Sequence, residues 1–149
     1  MAAGTLTLYN TVAEWIADGT IDLDTHAFKL ALLASGYTPS AAHDLYADLT
    51  NELSTANGYT SGGASLASIT WGQVGGVSVF DSADVVWTAS GGSIVARYGV
   101  LYDDTAAGKP LIGYFLLDAA PANVTATTGN TLTVAPHATL GWFALTVNP

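Results

Sequence analysis

The chain has 149 residues, of which half are apolar and only 10% are charged, and its formal net charge is −9. A chain of this length suits a single domain. The three Lys and Arg residues are too few to form the cationic clusters that bind phosphate backbones or anionic lipids, so we expect neither nucleic acid nor a membrane as a partner. Because the sequence contains no cysteine, disulfide bonds and thiolate metal sites are excluded.

The low content of charged residues indicates that part of the surface is uncharged and part of it is covered. Soluble domains carry about 25% charged residues, so we expect this chain to hide apolar surface in a homo-oligomer or a lattice. No apolar run approaches the roughly 20 residues of a membrane-spanning helix. The N-terminus lacks the basic start and apolar core of a secretory signal, which predicts synthesis in a cytoplasm.

The first predicted element is a helix from Thr7 to Asp18, followed by Gly19 as a terminator. An apolar stripe at helical spacing supports it, formed by Leu8, Val12, Trp15 and Ile16. Residues 1–20 therefore form an N-terminal helix or arm. It either caps the β core or docks on a neighbouring subunit, and in the second case Leu8, Val12 and Trp15 are the interface residues.

The next predicted element is a strand that begins at Phe28. In FKLALLAS both alternating faces are largely apolar, which is typical of a central strand. Pro39 lies in the turn that follows, where it restricts its neighbour to extended conformations. The segment from Asp44 to Leu53 carries leucines at four-residue spacing among turn-forming residues, and both a helix and an extended loop remain open for it.

From Ser65 almost to the end, the sequence predicts strands separated by glycine pairs and by Asp or Asn turns. The expected strands are 65–71, 77–80, 84–88, 94–102, 111–117, 132–134 and 142–147. Residues 119–131 are expected to form a long surface loop. The fold class is therefore all-β. We expect residues 21–149 to form one antiparallel β-sandwich or jelly-roll-like domain, with a barrel as the alternative.

Few residues are arranged for chemistry. Asp22, Asp24 and His26 alternate, so on one strand face they could hold a divalent ion, and Asp103 with Asp104 offers oxygen ligands for calcium. Turn formation is the commoner role of such aspartates. No nucleophile elbow occurs, and the glycine pairs precede strands rather than the helix that a phosphate loop needs. We expect no enzyme activity, no cofactor and no metal.

Two groups of side chains are candidates for contacts with partners. Arg97 is the only arginine and lies inside a strand, so it should pair with Asp84 or Asp118 or lie on an intersubunit face. Aromatic residues could instead stack on sugars, although packing in the core is the default role. These aromatic residues are Trp15, Trp71, Trp87, Trp142, Tyr98, Tyr102 and Tyr114.

Three stretches carry a resemblance to known proteins: YADLTNELSTANGYTSGG, DSADVVWTASGGSIVARYGVLYDD and KPLIGYFLLD, with Trp71 between the first two. Over residues 21–145 the chain resembles a family of small virion structural proteins of tailed bacteriophages. The resemblance implies a decoration or cement protein on the capsid exterior that bridges major capsid subunits as a homo-oligomer, with a trimer expected. The family signature contains no catalytic residues. A carbohydrate-binding module of a phage tail or fibre is the second expectation.

Overall fold

Short segments of alternating apolar residues form twelve strands in the computed structural model, which describes residues 4–120 and 122–147. One short helix, α1 (Val12–Ala17), and a single 3₁₀ turn at Tyr46–Asp48 accompany them. The strands are β1 (Thr7–Leu8), β2 (Phe28–Leu33), β3 (Ala64–Ser65), β4 (Thr70–Val74), β5 (Val77–Asp81), β6 (Val85–Thr88), β7 (Ile94–Ala96), β8 (Tyr98–Asp103), β9 (Leu111–Leu116), β10 (Val124–Ala126), β11 (Thr131–Val134) and β12 (Phe143–Thr146). The pairings are antiparallel, which confirms the predicted all-β, sandwich-like fold class.

The largest sheet has the strand order β1-β9-β8-β2-β3, and a second sheet has the order β12-β5-β4. Two further ladders pair β11 with β6 and β10 with β7. Strand β2 lies between β8 and β3, and its Phe28 and Leu30 are fully buried. The prediction that this strand is central is therefore confirmed.

Aromatic side chains join the two main sheets. The Phe28 ring of β2 lies edge-on to Phe80 of β5, with 4.9 Å between the ring centroids, and Phe80 also contacts Phe143 of β12 at 5.4 Å. Phe115 of β9 packs on Trp142, just before β12, at 5.9 Å. Burying each such ring contributes about 2–3 kcal/mol, so these contacts dominate the packing between the sheets.

The N-terminal segment differs from its prediction. Thr7 and Leu8 pair with Tyr114 and Gly113 of β9, so the expectation that the helix begins at Thr7 is wrong. Leu8 has the spacing of a helical residue, but it lies at the edge of the large sheet. There the hydrogen bonds to β9 stabilise the chain more than a single helical turn would. Part of the predicted arm thus belongs to the large sheet, and residues 1–3 lie outside the described residues.

Three other boundaries were also mispredicted. The expected strand 65–71 is divided at Ser68, which has a φ of 53°. The expected strand 94–102 is divided at Arg97, because β7 pairs with β10 whereas β8 pairs with β2 and β9. The expected loop 119–131 contains β10, a strand too short to show a periodic pattern. The segment 44–53 is a loop that contains a single 3₁₀ turn and isolated β-bridges at Leu45 and Glu52.

The backbone of Gly63 lies very close to that of the central strand β2. Its φ is +76°, and a Cβ there would lie 2.0 Å from the backbone oxygen of Leu30. Gly129 has a similar φ of +87° but no atom within 4 Å of such a Cβ. The two positions therefore separate the effect of a steric clash from that of backbone conformation.

We predict that Gly63→Ala lowers the free energy of unfolding by about 3 kcal/mol or more, because it adds a clash with backbone to the strain of a positive φ. Gly129→Ala should lower it by about 1–2 kcal/mol through conformation alone. Urea denaturation followed by circular dichroism measures both changes. Equal losses would contradict the close approach of Gly63 to β2.

Candidate functional site

The residues first considered for a divalent ion lie in a turn. The carboxylate of Asp22 accepts the backbone N–H groups of Asp24 (3.0 Å) and Thr25 (3.2 Å) and the Thr25 hydroxyl (2.7 Å). These hydrogen bonds, that of the Thr25 hydroxyl first, lower the pKa of Asp22 below its ordinary value of 3.8. His26 turns instead toward Asp103. The expectation of one shared strand face is wrong, since Asp22 shapes the turn.

Asp103 and Asp104 are each bound within the chain. Asp103 is fully buried, and its carboxylate contacts Nδ1 of His26 at 2.6 Å and accepts the N–H of Thr105 at 2.8 Å. Asp104 forms ion pairs with Lys29 (3.1 Å) and Lys109 (2.8 Å). Burial opposes ionisation of Asp104, but the two ammonium groups outweigh it and keep its pKa below 3.8.

Glu52 is the centre of a second polar cluster. Its carboxylate accepts the hydroxyl groups of Tyr46, Tyr59 (2.7 Å) and Ser61 (3.1 Å) and the N–H of Gly62 (2.6 Å). Four donors on one carboxylate leave it little capacity for a substrate proton. The cluster fastens residues 52–62 to the large sheet. Within the described ranges, no group of three or more His, Cys, Asp or Glu side chains is placed to hold a metal ion.

Tyr9, Tyr46, Tyr59 and Tyr102 are four of the tyrosines whose hydroxyl groups are buried or half-buried. Burial is the main cause that raises their pKa above the ordinary 10.0, and hydrogen bonds to Tyr37 or Glu52 add to it for the first three. Tyr59 also accepts the backbone N–H of Leu32 at 3.0 Å. These hydroxyls therefore act as neutral hydrogen-bonding groups that hold loops to strands.

The four residues predicted for an interface lie in different surroundings. Val12 is 1% exposed, so it belongs to the core and offers no surface, whereas Leu8 and Trp15 are half-buried. The Nε–H of Arg97 donates to Asn123 Oδ1 at 3.0 Å. One of the two expectations for Arg97 is wrong: in the part of the chain that the structure describes, it pairs with neither Asp84 nor Asp118. The other, that Arg97 lies on an intersubunit face, stays a prediction.

Two grooves flank β1, and the sequence predicts neither of them because the apolar spacing at Leu8 indicates a helix. The edge groove, with a volume of about 440 Å³, lies between β1 and β12 and is lined mainly by apolar residues. Its lining includes Leu6, Leu8, Leu140, Trp142 and Ala144. Leu140 is 51% exposed at its rim. Such exposed apolar surface is typical of a docking site.

The tyrosine groove lies on the other side of β1, with a volume of about 500 Å³. Pro39, Tyr98 and Tyr114 line it, and both tyrosines are half-buried. Of the aromatic residues considered for sugar stacking, Trp87 and Trp142 are buried and Tyr102 is fully buried. Tyr98 and Tyr114 are thus the members of that group that share a groove.

Comparisons with known proteins add no relative: no family model matches the chain, and neither does a curated protein or a solved structure. Among the described residues, no helix has the length and apolar character needed to cross a membrane.

We predict that the free energy of unfolding falls as the pH rises above 10.0. A raised pKa in the folded state keeps the buried tyrosines protonated while the unfolded chain ionises, so their stabilisation is present below pH 10.0 and is lost above it. Urea titrations at a series of pH values measure the slope. Tyr59→Phe should make the slope shallower by up to about one proton. A slope that does not change in this variant would contradict the protected state of Tyr59.

Proposed function

We propose that the protein is a structural component of a tailed-bacteriophage particle, most specifically a decoration or cement protein that bridges major capsid subunits on the outer shell. The observation that supports this proposal best is the environment of the carboxylates that could act in catalysis. Glu52, Asp103 and Asp104 are bound to neighbouring side chains and backbone, whereas apolar strand edges face outward. Such a surface suits binding rather than catalysis.

Charge supports the same proposal. All three cationic side chains already have partners, because Lys29 and Lys109 contact Asp104 and Arg97 contacts Asn123. The remaining field is strongly negative, which repels a packaged genome and other copies in free solution. We propose that trimers form on the shell rather than in free solution, because contacts with the major capsid protein offset this repulsion and many weak contacts add by avidity.

We predict that cryo-electron microscopy of phage particles encoding this chain finds its density on the capsid exterior. Particles lacking the protein should open at a lower temperature, and purified protein added back should restore the original temperature, because bridging contacts are regained. Heat-release assays of the packaged DNA measure both effects. Density confined to the neck, tail or fibre would refute the capsid placement.

The tyrosine groove supports a second candidate function, a carbohydrate-binding module of a tail or fibre. Sugars stack on aromatic faces, and Tyr98 and Tyr114 provide two beside Pro39. In this case a glycan array should give a saccharide signal, which Tyr114→Ala removes and Val86→Ala, at an exposed strand position, leaves intact. An array without signal would eliminate this candidate and leave the decoration protein.

A further inference from the structure

The edge groove is bordered by two sheet edges, each of which has backbone groups without a hydrogen-bond partner among residues 4–120 and 122–147. Strand β1 is the outermost strand of the five-stranded sheet, and β12 is the outermost strand of the three-stranded sheet. Residues of both strands line the same groove. The direction of each backbone group follows from the ladder on the other side of its strand.

In β1, the N–H of Tyr9 donates to the oxygen of Ile112 at 3.1 Å, and Thr7 lies opposite Tyr114. Alternate residues of an antiparallel strand direct their N–H and C=O groups to opposite sides. The backbone groups of Thr7 and Tyr9 therefore face β9, whereas those of Leu6 and Leu8 point away from β9, and both leucines line the edge groove.

The same rule applies to β12. The N–H of Val147 donates to the oxygen of Gly76 at 2.9 Å, and Leu145 lies opposite Ser78. Val147 and Leu145 thus face β5. The backbone groups of Ala144 and Thr146 point away from β5, and both residues line the edge groove.

Unpaired backbone groups on both walls of an apolar groove select an extended occupant. A strand can accept ladder hydrogen bonds from such an edge while its alternate side chains enter the apolar lining. A helix has no backbone groups left for these edges, because its own hydrogen bonds use them. The geometry therefore favours strand addition.

The net charge of the whole chain favours one kind of partner as the source of the added strand. Of the twelve carboxylates, only Asp104 contacts a lysine or arginine in residues 4–120 and 122–147. A second copy would bring its own charge of −9 against this field, whereas a segment flanked by lysine or arginine is attracted to it.

We propose that the edge groove binds an extended, alternating apolar segment of a different protein, flanked by basic residues, as an added strand along β1 and β12. This proposal rests on the proposed function, since it names the chemistry of the capsid segment that the chain would hold.

Two synthetic peptides test the proposal on the full chain labelled with ¹⁵N. Both alternate valine and threonine, and one is flanked by lysines and the other by glutamates. The lysine peptide should slow hydrogen exchange at the amides of Leu6, Leu8, Ala144 and Thr146. At low salt it should bind about tenfold more tightly than the glutamate peptide, and added salt should reduce this difference.

A matched pair of variants tests the backbone contact at β12. Ala144→Pro removes an outward N–H without removing a donor to β5, and Ala144→Ser retains that N–H. Only the proline variant should lose about tenfold or more in affinity for the lysine peptide. If the proline variant does not fold, the amide exchange of the unaltered chain still decides the question.

Three results would overturn the proposal: no protection of the four amides by either peptide, equal binding of the two peptides at low salt, or protection that appears with protein concentration alone. The last would identify a second copy as the occupant. Capsid density without peptide binding would reject the edge groove but leave the decoration function standing. Peptide binding by a chain that is absent from the capsid would do the reverse.

Discussion

The packing of the two main sheets through Phe28, Phe80 and Phe143 is the contact on which the rest of the structure depends. It fixes how the sheets face each other, and Phe115 with Trp142 continues it toward the strand ends. At that side β1 and β12 are both outermost strands. The same packing that forms the core therefore leaves two strand edges beside one apolar groove.

Polar side chains stabilise the positions of the loops rather than the packing of the sheets. The clusters around Glu52 and Asp103 fasten loops to the large sheet, and they use donors and acceptors that are buried or half-buried. Leaving such a group without a partner costs about 1–3 kcal/mol, so full pairing is a condition of stability. A chain without cysteine keeps its long loops in place by these hydrogen bonds.

The sequence allowed correct prediction where a periodic pattern was long enough. The six-residue strand β2, apolar on both faces, was recognised as central, and β5, β6 and β9 were found within one or two residues. Short elements are not predicted because two or three residues show no period: the pattern indicates a helix where β1 lies and a loop where β10 lies. The sequence does not predict Asn123 as the partner of Arg97, because Asn123 lies just before β10 and the two residues meet only when the chain folds.

By itself, the sequence determined the all-β class, the excess of negative charge and the scarcity of cations, because these follow from composition and from two-residue periodicity. Only the tertiary structure decided which strands lie at sheet edges and therefore where the edge groove and the tyrosine groove form. It also decided that Val12 is a core residue while Leu8 borders a groove. Edges and grooves depend on pairing between residues far apart in the chain, which local pattern does not encode.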